Sequence, residues 1–157
     1  MNHLISYPDY LNEHLASMYR EIGYHGTTHD FDAFDLDMSE DGGLHIGTRE
    51  QALKRNGDIL LKIEFSIERP CRAKDDGGSW RAKIKAAKAR KCDGIVYLNR
   101  HEGIPYDRLH SLTDSGMYLH HIDLLPDAKF KKLLPEAEDS YLLFSTKHVK
   151  ILEKIYR

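Results

Sequence analysis

The sequence predicts a single α+β domain. Its 157 residues are about the usual size of one domain, and two independent cores would be cramped. Every second side chain in residues 59–67 is apolar, which is typical of a strand with one face on the core. Apolar residues recur at three- and four-residue spacing in residues 9–20 and 79–91, which indicates helices between the strands.

The N-terminal third is expected to contain a helix, a strand and a partly buried loop. Residues 9–20 have helical periodicity, and Gly23 interrupts it. A short strand over residues 22–25 should follow. Phe31 and Phe34 then alternate with aspartates, so we expect a loop that places both rings in the core.

A second strand and a capped helix are predicted next. Residues 44–46 follow an Asp-Gly-Gly turn and should form a brief strand. Thr48 and Gln51 have the spacing of a capping box, so a helix should begin here and end near residues 56–57.

Pro70 is expected to end the strand at 59–67. Ser79 is placed to cap a helix that continues to Lys91. An Asp-Gly turn then leads into residues 95–98, a candidate for a buried strand.

The last third is the least regular. Residues 103–138 contain three prolines and no sustained period, so we expect an irregular insertion, a candidate lid, with one short helix near residues 128–134. Residues 141–144 and 149–152 should be the closing strands.

Charge, cysteine spacing and hydropathy indicate the general class of protein. A formal net charge of −2 neither favours nor excludes a nucleic-acid partner, and the basic run from Arg81 to Lys91 is interpreted as a solvated helix face. Cys71 and Cys92 lack metal-type spacing and are expected to be reduced. No segment resembles a signal peptide or a membrane span, so we expect a cytoplasmic location, which includes a host cytoplasm if the protein is an effector.

His25-Gly26-Thr27 is the first segment that suggests chemistry. A histidine at the end of a strand, followed by glycine, allows a ligand to approach the backbone. The imidazole would then be free to bind a ribose hydroxyl. His25 and His29 have the spacing of a zinc helix, but Gly26 and the missing glutamate argue against that interpretation.

A second histidine cluster, His120, His121 and Asp123, is also disfavoured as a metal site. Adjacent histidines on a strand point to opposite faces. We therefore expect no metal cofactor.

Several short blocks of the sequence occur in a characteristic order. The blocks are Tyr24-His25-Gly26-Thr27, Phe31-Asp32-Ala33-Phe34, Gly43-Leu44-His45-Ile46-Gly47-Thr48 with Ala52, Asp93-Gly94-Ile95-Val96-Tyr97-Leu98-Asn99 with Glu102, Asp139-Ser140-Tyr141-Leu142-Leu143-Phe144 and Val149-Lys150-Ile151. This order resembles the ADP-ribosyltransferase superfamily, and in particular the small transferase domains of phage and bacterial polyvalent and toxin-like proteins. The similarity covers roughly residues 22–102 and 139–152.

The resemblance implies a split antiparallel β-sheet with flanking helices and an NAD cleft between its halves. His25, Gly26 and Thr27 match the block that holds the nicotinamide riboside. His45 matches the residue that stacks on nicotinamide, often a tyrosine in the family. The implied cofactor-binding set is completed by Gly47, Thr48 and Asn99.

The family usually has a glutamate just before the last aromatic-rich strand, but this sequence has Ser140 at that position. Serine cannot carry the negative charge that a developing oxocarbenium ion requires. Glu102, three residues after Asn99, and Glu138, two residues before Ser140, are the candidate replacements, and we favour Glu102.

The function implied by the resemblance is transfer of ADP-ribose from NAD to a macromolecule, with release of nicotinamide. We expect the acceptor to be a protein, although a nucleic acid is not excluded, and we expect no membrane partner. One alternative is a module of the same fold that binds NAD or a partner without catalysis, as Ser140 suggests. An NAD-dependent RNA 2′-phosphotransferase ranks last, because the arginines of that branch have no match.

Overall fold

The fold is known from a computed structural model, which describes residues 20–55, 57–114 and 124–157. The helix predicted over residues 9–20 lies outside these ranges except for Arg20. His120, His121 and Asp123 also lie outside them.

The described chain contains seven strands, four α-helices and one 3₁₀ turn. In chain order they are β1 Glu21–Thr27, the 3₁₀ turn Leu36–Met38, β2 Leu44–Ile46, α1 Arg49–Leu53, β3 Ile59–Phe65, β4 Pro70–Ala73, α2 Trp80–Ala89, β5 Gly94–Leu98, α3 Tyr106–Asp114, α4 Asp127–Leu133, β6 Asp139–Leu143 and β7 Val149–Tyr156.

The strands form two sheets, so the predicted α+β class is confirmed. The first sheet has the order β1-β3-β7 and is antiparallel throughout. The second has the order β2-β6-β5-β4. Its β4 and β5 are parallel, which corrects the expectation of a purely antiparallel arrangement. The reason is the crossover: α2 lies between these two strands and returns the chain to the same end of the sheet.

A single bridge outside the named strands joins the two sheets. Tyr24 in β1 and Gly47 after β2 exchange two backbone hydrogen bonds, of 2.8 and 3.0 Å. Because β1 and β2 meet here, the side chains of His25 and His45 come close to the same junction.

Both predicted helix starts are confirmed. Thr48 caps α1 by accepting a hydrogen bond from the Gln51 amide, and the Gln51 side chain returns the contact to the Thr48 amide. Ser79 caps α2 by accepting a hydrogen bond from the Ala82 amide. Both helices end earlier than predicted, and Lys91 follows α2 with a positive φ of 61°, a conformation that cannot continue a right-handed helix.

The core lies between and beside the sheets in three clusters. The first is formed by side chains of β2, β3 and β6, with Phe31 and Phe34 partly buried against it as predicted. The second packs Ile84 and Ala87 of α2 on β5. The third gathers Phe130 of α4 with apolar residues at the end of β5 and in the segments that follow β5 and α4.

Two elements differ from the sequence predictions. Pro70 does not merely end the strand at 59–65; it begins β4, since proline is tolerated as the first residue of an edge strand. The irregular stretch at 103–138 contains α3 in addition to the predicted α4. Leu109 and Leu112 of α3 pack against the third cluster, an apolar pair too short to stand out as a period.

The prediction of two free thiols is wrong. Cys71 and Cys92 form a disulfide, with Cα atoms 5.8 Å apart. They are distant in sequence, but β4 pairs with β5 so that Cys71 lies opposite Ile95, and Cys92 lies two residues before the start of β5. The cysteine argument for a reduced compartment therefore loses its support.

In the three described ranges, none of the helices has both the length and the apolar character needed to cross a bilayer.

Candidate functional site

A cleft of about 730 Å³ opens where the two sheets meet. This volume is in the range of small-molecule sites. Five residues that the sequence analysis singled out from separate blocks line it together: His25, Thr27, His45, Asn99 and Glu102.

His25 is fixed across the junction of the sheets. Its Nδ1 lies 2.7 Å from the carbonyl oxygen of His45, and a carbonyl only accepts, so Nδ1 carries the proton and donates it. Burial lowers the pKa of His25, which keeps the ring neutral. Nε2 is therefore a lone-pair acceptor, and it has no hydrogen-bond partner among the described residues.

His45 is held at both nitrogens. Its Nε2 donates to a carboxylate oxygen of Asp41 at 2.7 Å, and its Nδ1 lies 3.1 Å from the Tyr97 hydroxyl, which donates to it. Burial lowers the pKa of His45, against the opposing effect of Asp41. The ring edge is thus fully engaged, and what His45 has left to offer a ligand is a ring face.

The carboxyl of Asp41 is kept ionised by this contact. Burial raises its pKa, but hydrogen bonds from His45 and from the Gly43 amide outweigh burial and leave the pKa below its usual value. The pair therefore consists of a carboxylate and a neutral imidazole at neutral pH.

Trp80 and Tyr97 extend the aromatic wall beside His45. Their ring centroids are 4.4 Å apart, and each makes an edge contact with His45, at 5.6 Å for Trp80 and 6.2 Å for Tyr97. Burial raises the pKa of Tyr97, so its hydroxyl stays protonated. On the opposite side His25 contacts Phe34 edge to face at 5.6 Å. Flat apolar walls of this kind suit an aromatic ligand.

Glu102 enters the cleft from a turn that Asn99 caps. The Asn99 Oδ1 atom accepts from the amide of His101 at 3.2 Å and from the amide of Glu102 at 2.9 Å. This is the physical meaning of the Asn-x-x-Glu spacing. The Glu102 carboxylate accepts from Arg55 Nε at 3.2 Å, and both side chains are about one-third exposed, 33% for Arg55 and 31% for Glu102.

The other two residues considered for the catalytic carboxylate position, Ser140 and Glu138, do not line the cleft. Ser140 is buried at 2% exposure behind the wall, opposite Tyr97 in the β5–β6 pair. The Glu138 side chain is 61% exposed and lies 3.8 Å from Lys131. It borders a separate hollow of about 300 Å³.

Gly26, Gly47 and Thr48 also lie outside the cleft lining. Gly26 faces α1 rather than a ligand: a Cβ there would lie 2.7 Å from the Ala52 carbonyl oxygen. Gly47 forms the bridge between the sheets, and Thr48 is the α1 cap.

Sequence reasoning missed Gln51, Arg55, Asp41 and Trp80 as site residues. Asp41 belongs to the predicted Asp-Gly-Gly turn, Trp80 to the predicted helix at 79–91 and Gln51 to the predicted capping box. Asp41 gave a local signal, since its partner His45 lies four residues away. The contacts of Arg55, Gln51 and Trp80 depend on distant parts of the chain, so no local pattern indicates them.

The described residues contain no group of three or more histidine, cysteine, aspartate or glutamate side chains that could hold a metal ion. Comparison of the chain with family models, with curated proteins and with solved structures gives no match.

Proposed function

We propose that this protein is an NAD-dependent ADP-ribosyltransferase that modifies a macromolecular acceptor. The observation that carries the proposal is the cleft, which gathers His25, His45, Asn99 and Glu102 from blocks far apart in the sequence. The order of those blocks resembles the ADP-ribosyltransferase superfamily, and a pair of sheets meeting at the cleft is compatible with that family's split sheet.

The walls of the cleft suit the nicotinamide half of NAD. The face of the His45 ring is a stacking surface for a pyridinium ring, and Trp80 and Tyr97 extend the same aromatic wall. The unprotonated Nε2 of His25 is an acceptor for a ribose hydroxyl. Both features suit a ligand in which a flat ring is joined to a sugar, as in the nicotinamide riboside of NAD.

The reaction breaks the bond between C1′ of the ribose and the nicotinamide nitrogen. Nicotinamide leaves with the bonding electron pair, and positive charge develops on the ribose ring. An acceptor nucleophile attacks C1′ from the opposite face and loses its proton to solvent. The Glu102 carboxylate, hydrogen-bonded to the 2′-hydroxyl, stabilises the developing charge, an interaction that is strongest in the transition state.

The Arg55–Glu102 pair supports a second candidate, an NAD-binding module without transfer. If the ion pair between Arg55 and Glu102 persists when NAD binds, the Glu102 carboxylate cannot hydrogen-bond the ribose or stabilise its positive charge. Transfer requires that the 2′-hydroxyl compete with Arg55 for this carboxylate. Because the pair is partly exposed, its disruption costs only about 0–1 kcal/mol.

Nicotinamide release, followed by chromatography, tests the proposal with a matched pair of variants. Glu102→Gln keeps the size of the side chain and removes the charge, so we expect release to fall by about 10²–10³-fold. Glu138→Gln makes the same chemical change outside the cleft and should remain within about twofold of wild type.

Calorimetric titration with NAD separates the outcomes. Binding without release in the presence of cell-extract acceptors would favour the binding module. Absence of binding would reject both candidates, and dependence on Glu138 alone would assign the reaction to the other carboxylate.

A further inference from the structure

We propose that Gln51 is a positioning residue for Glu102, acting through Ser140 and Asn99. The inference rests on the proposed function, because it assigns a role in presenting the carboxylate that acts on NAD. Gln51 itself does not line the cleft; its side chain is 1% exposed.

The Gln51 amide group is fixed by three hydrogen bonds. Its Oε1 accepts from the Thr48 amide at 2.8 Å and from the Ser140 hydroxyl at 2.7 Å. Its Nε2 donates to the Glu138 carbonyl oxygen at 3.0 Å. The carbonyl oxygen of Glu138 also accepts from the Asn99 amide at 3.0 Å. One side chain on α1 therefore bonds to Glu138 and Ser140 at the start of β6, next to the backbone bond that joins Glu138 to Asn99 at the end of β5.

Gly47 makes room for this arrangement. A Cβ at position 47 would lie 2.2 Å from Gln51 Oε1, so any larger residue would displace the amide oxygen. The backbone that joins the two sheets thus also admits the Gln51 side chain.

Ser140 passes the constraint to the cleft. While its hydroxyl donates to Gln51, its oxygen accepts from Asn99 Nδ2 at 3.1 Å. Asn99 is 3% exposed, and its Oδ1 caps the turn that carries Glu102. The orientation of the Asn99 amide is set by Ser140, since the amide nitrogen must point to the hydroxyl for the oxygen to face the turn.

Gln51, Ser140 and Asn99 are buried, and each polar atom of their side chains has a hydrogen-bond partner. Such networks are rigid when satisfied, and loss of one member leaves a buried polar group without a partner. We therefore expect the relay to matter for the placement of Glu102, and a displacement of about 1 Å in a catalytic group lowers the rate by about 10²-fold.

Ser140→Thr and Ser140→Val form the decisive pair. The two side chains have nearly the same shape and the same β-branching, and only threonine keeps the hydroxyl. We expect Ser140→Val to lower kcat for nicotinamide release by about 10- to 100-fold with KM for NAD within about threefold. Ser140→Thr should recover most of the rate. Circular dichroism at the assay temperature confirms that each variant is folded.

Equal kinetics for the two variants, whether both normal or both impaired, would overturn the proposal, because packing alone would then explain the result. If Ser140→Val does not fold, Gln51→Met decides the matter: it removes the amide with little change in length and should show the same loss of kcat. A Gln51→Met variant with normal kcat would also overturn the proposal.

Hydrogen exchange of the Glu102 amide distinguishes failure of the relay from failure of the proposed function. The amide should be protected in wild type and in Ser140→Thr, and should exchange at least about tenfold faster in Ser140→Val, since a constrained amide must open before it exchanges. If wild type releases no nicotinamide, the proposed reaction is rejected, while exchange still shows whether Ser140 holds the turn. Unchanged exchange in Ser140→Val would reject the relay.

Discussion

His25 and His45 are neutral because both are buried. Burial lowers the pKa of each imidazole below 6.5. At a pH between the folded and the unfolded pKa, the unfolded chain binds more protons than the folded protein does. The contribution of the two neutral histidines to the free energy of unfolding is therefore fully present above about pH 6.5, and it is lost as the pH falls through their lower folded pKa values.

We expect urea unfolding to give a smaller free energy of unfolding at about pH 5.5 than at about pH 7.5. Proton NMR titration should place both imidazole pKa values below 6.5. His25→Gln removes one titrating group and keeps a donor for the His45 carbonyl, so its stability should depend less on pH. A pKa above 6.5 for either ring would contradict the burial argument.

Helix α1 combines two roles in five residues. It begins at the Thr48 cap, and its third residue, Gln51, lies in the relay behind the cleft. The capping box and the relay share the Gln51 Oε1 atom, so the helix start and the Glu102 turn are mechanically coupled.

Thr48→Ala and Ser79→Ala test this coupling as a matched pair of cap deletions. Each removes a side-chain oxygen that caps a helix, and each should lower the free energy of unfolding by about 1 kcal/mol in urea titrations. Only Thr48→Ala should also speed hydrogen exchange of the Glu102 amide, because the Ser79 cap supports Trp80 in the cleft wall and makes no hydrogen bond to the relay. Equal effects of the two variants on exchange of the Glu102 amide would argue against the coupling.

How far the sequence predicts each element depends on where its stabilising contacts lie. The Thr48–Gln51 capping box, the Ser79 cap, the alternating strand and the His-Gly block are local signals, and the structure has them where the pattern predicts. Strand β4 was missed because its partner, β5, lies beyond a helix, and Pro70 gave the stronger local signal. The disulfide depends on that same pairing.

The candidate site divides in the same way. His25, His45, Asn99 and Glu102 could be predicted because their order along the chain resembles a known family. The burial of Ser140 could not, since it depends on Gln51, which lies far away in the sequence.

On the scale of the whole molecule, the Cys71–Cys92 disulfide closes a loop that contains α2. The sequence separation of 21 residues predicts a stabilisation of about 3 kcal/mol from restriction of the unfolded chain. Cys71→Ser combined with Cys92→Ser should lower the free energy of unfolding by about that amount. Dithiothreitol should do the same in wild type and have no effect on the double variant. A reductant effect that persists in the double variant would exclude the disulfide as its cause.

The order of strands in the two sheets has a consequence for synthesis. Leu44 in β2 pairs with Leu143 in β6, and Ile59 in β3 pairs with Tyr156 in β7. Strands near the start of the chain therefore pair with strands that are synthesised last. Pairings this distant along the chain are associated with folding times of milliseconds to seconds. During translation, β2 has no sheet neighbour until β6 has left the ribosome, and neither the cleft nor the relay behind it exists before then. A nascent chain that stops before β6 therefore leaves the core residues of β2 and β5 that pack against β6 exposed, a state in which chaperones are expected to bind it.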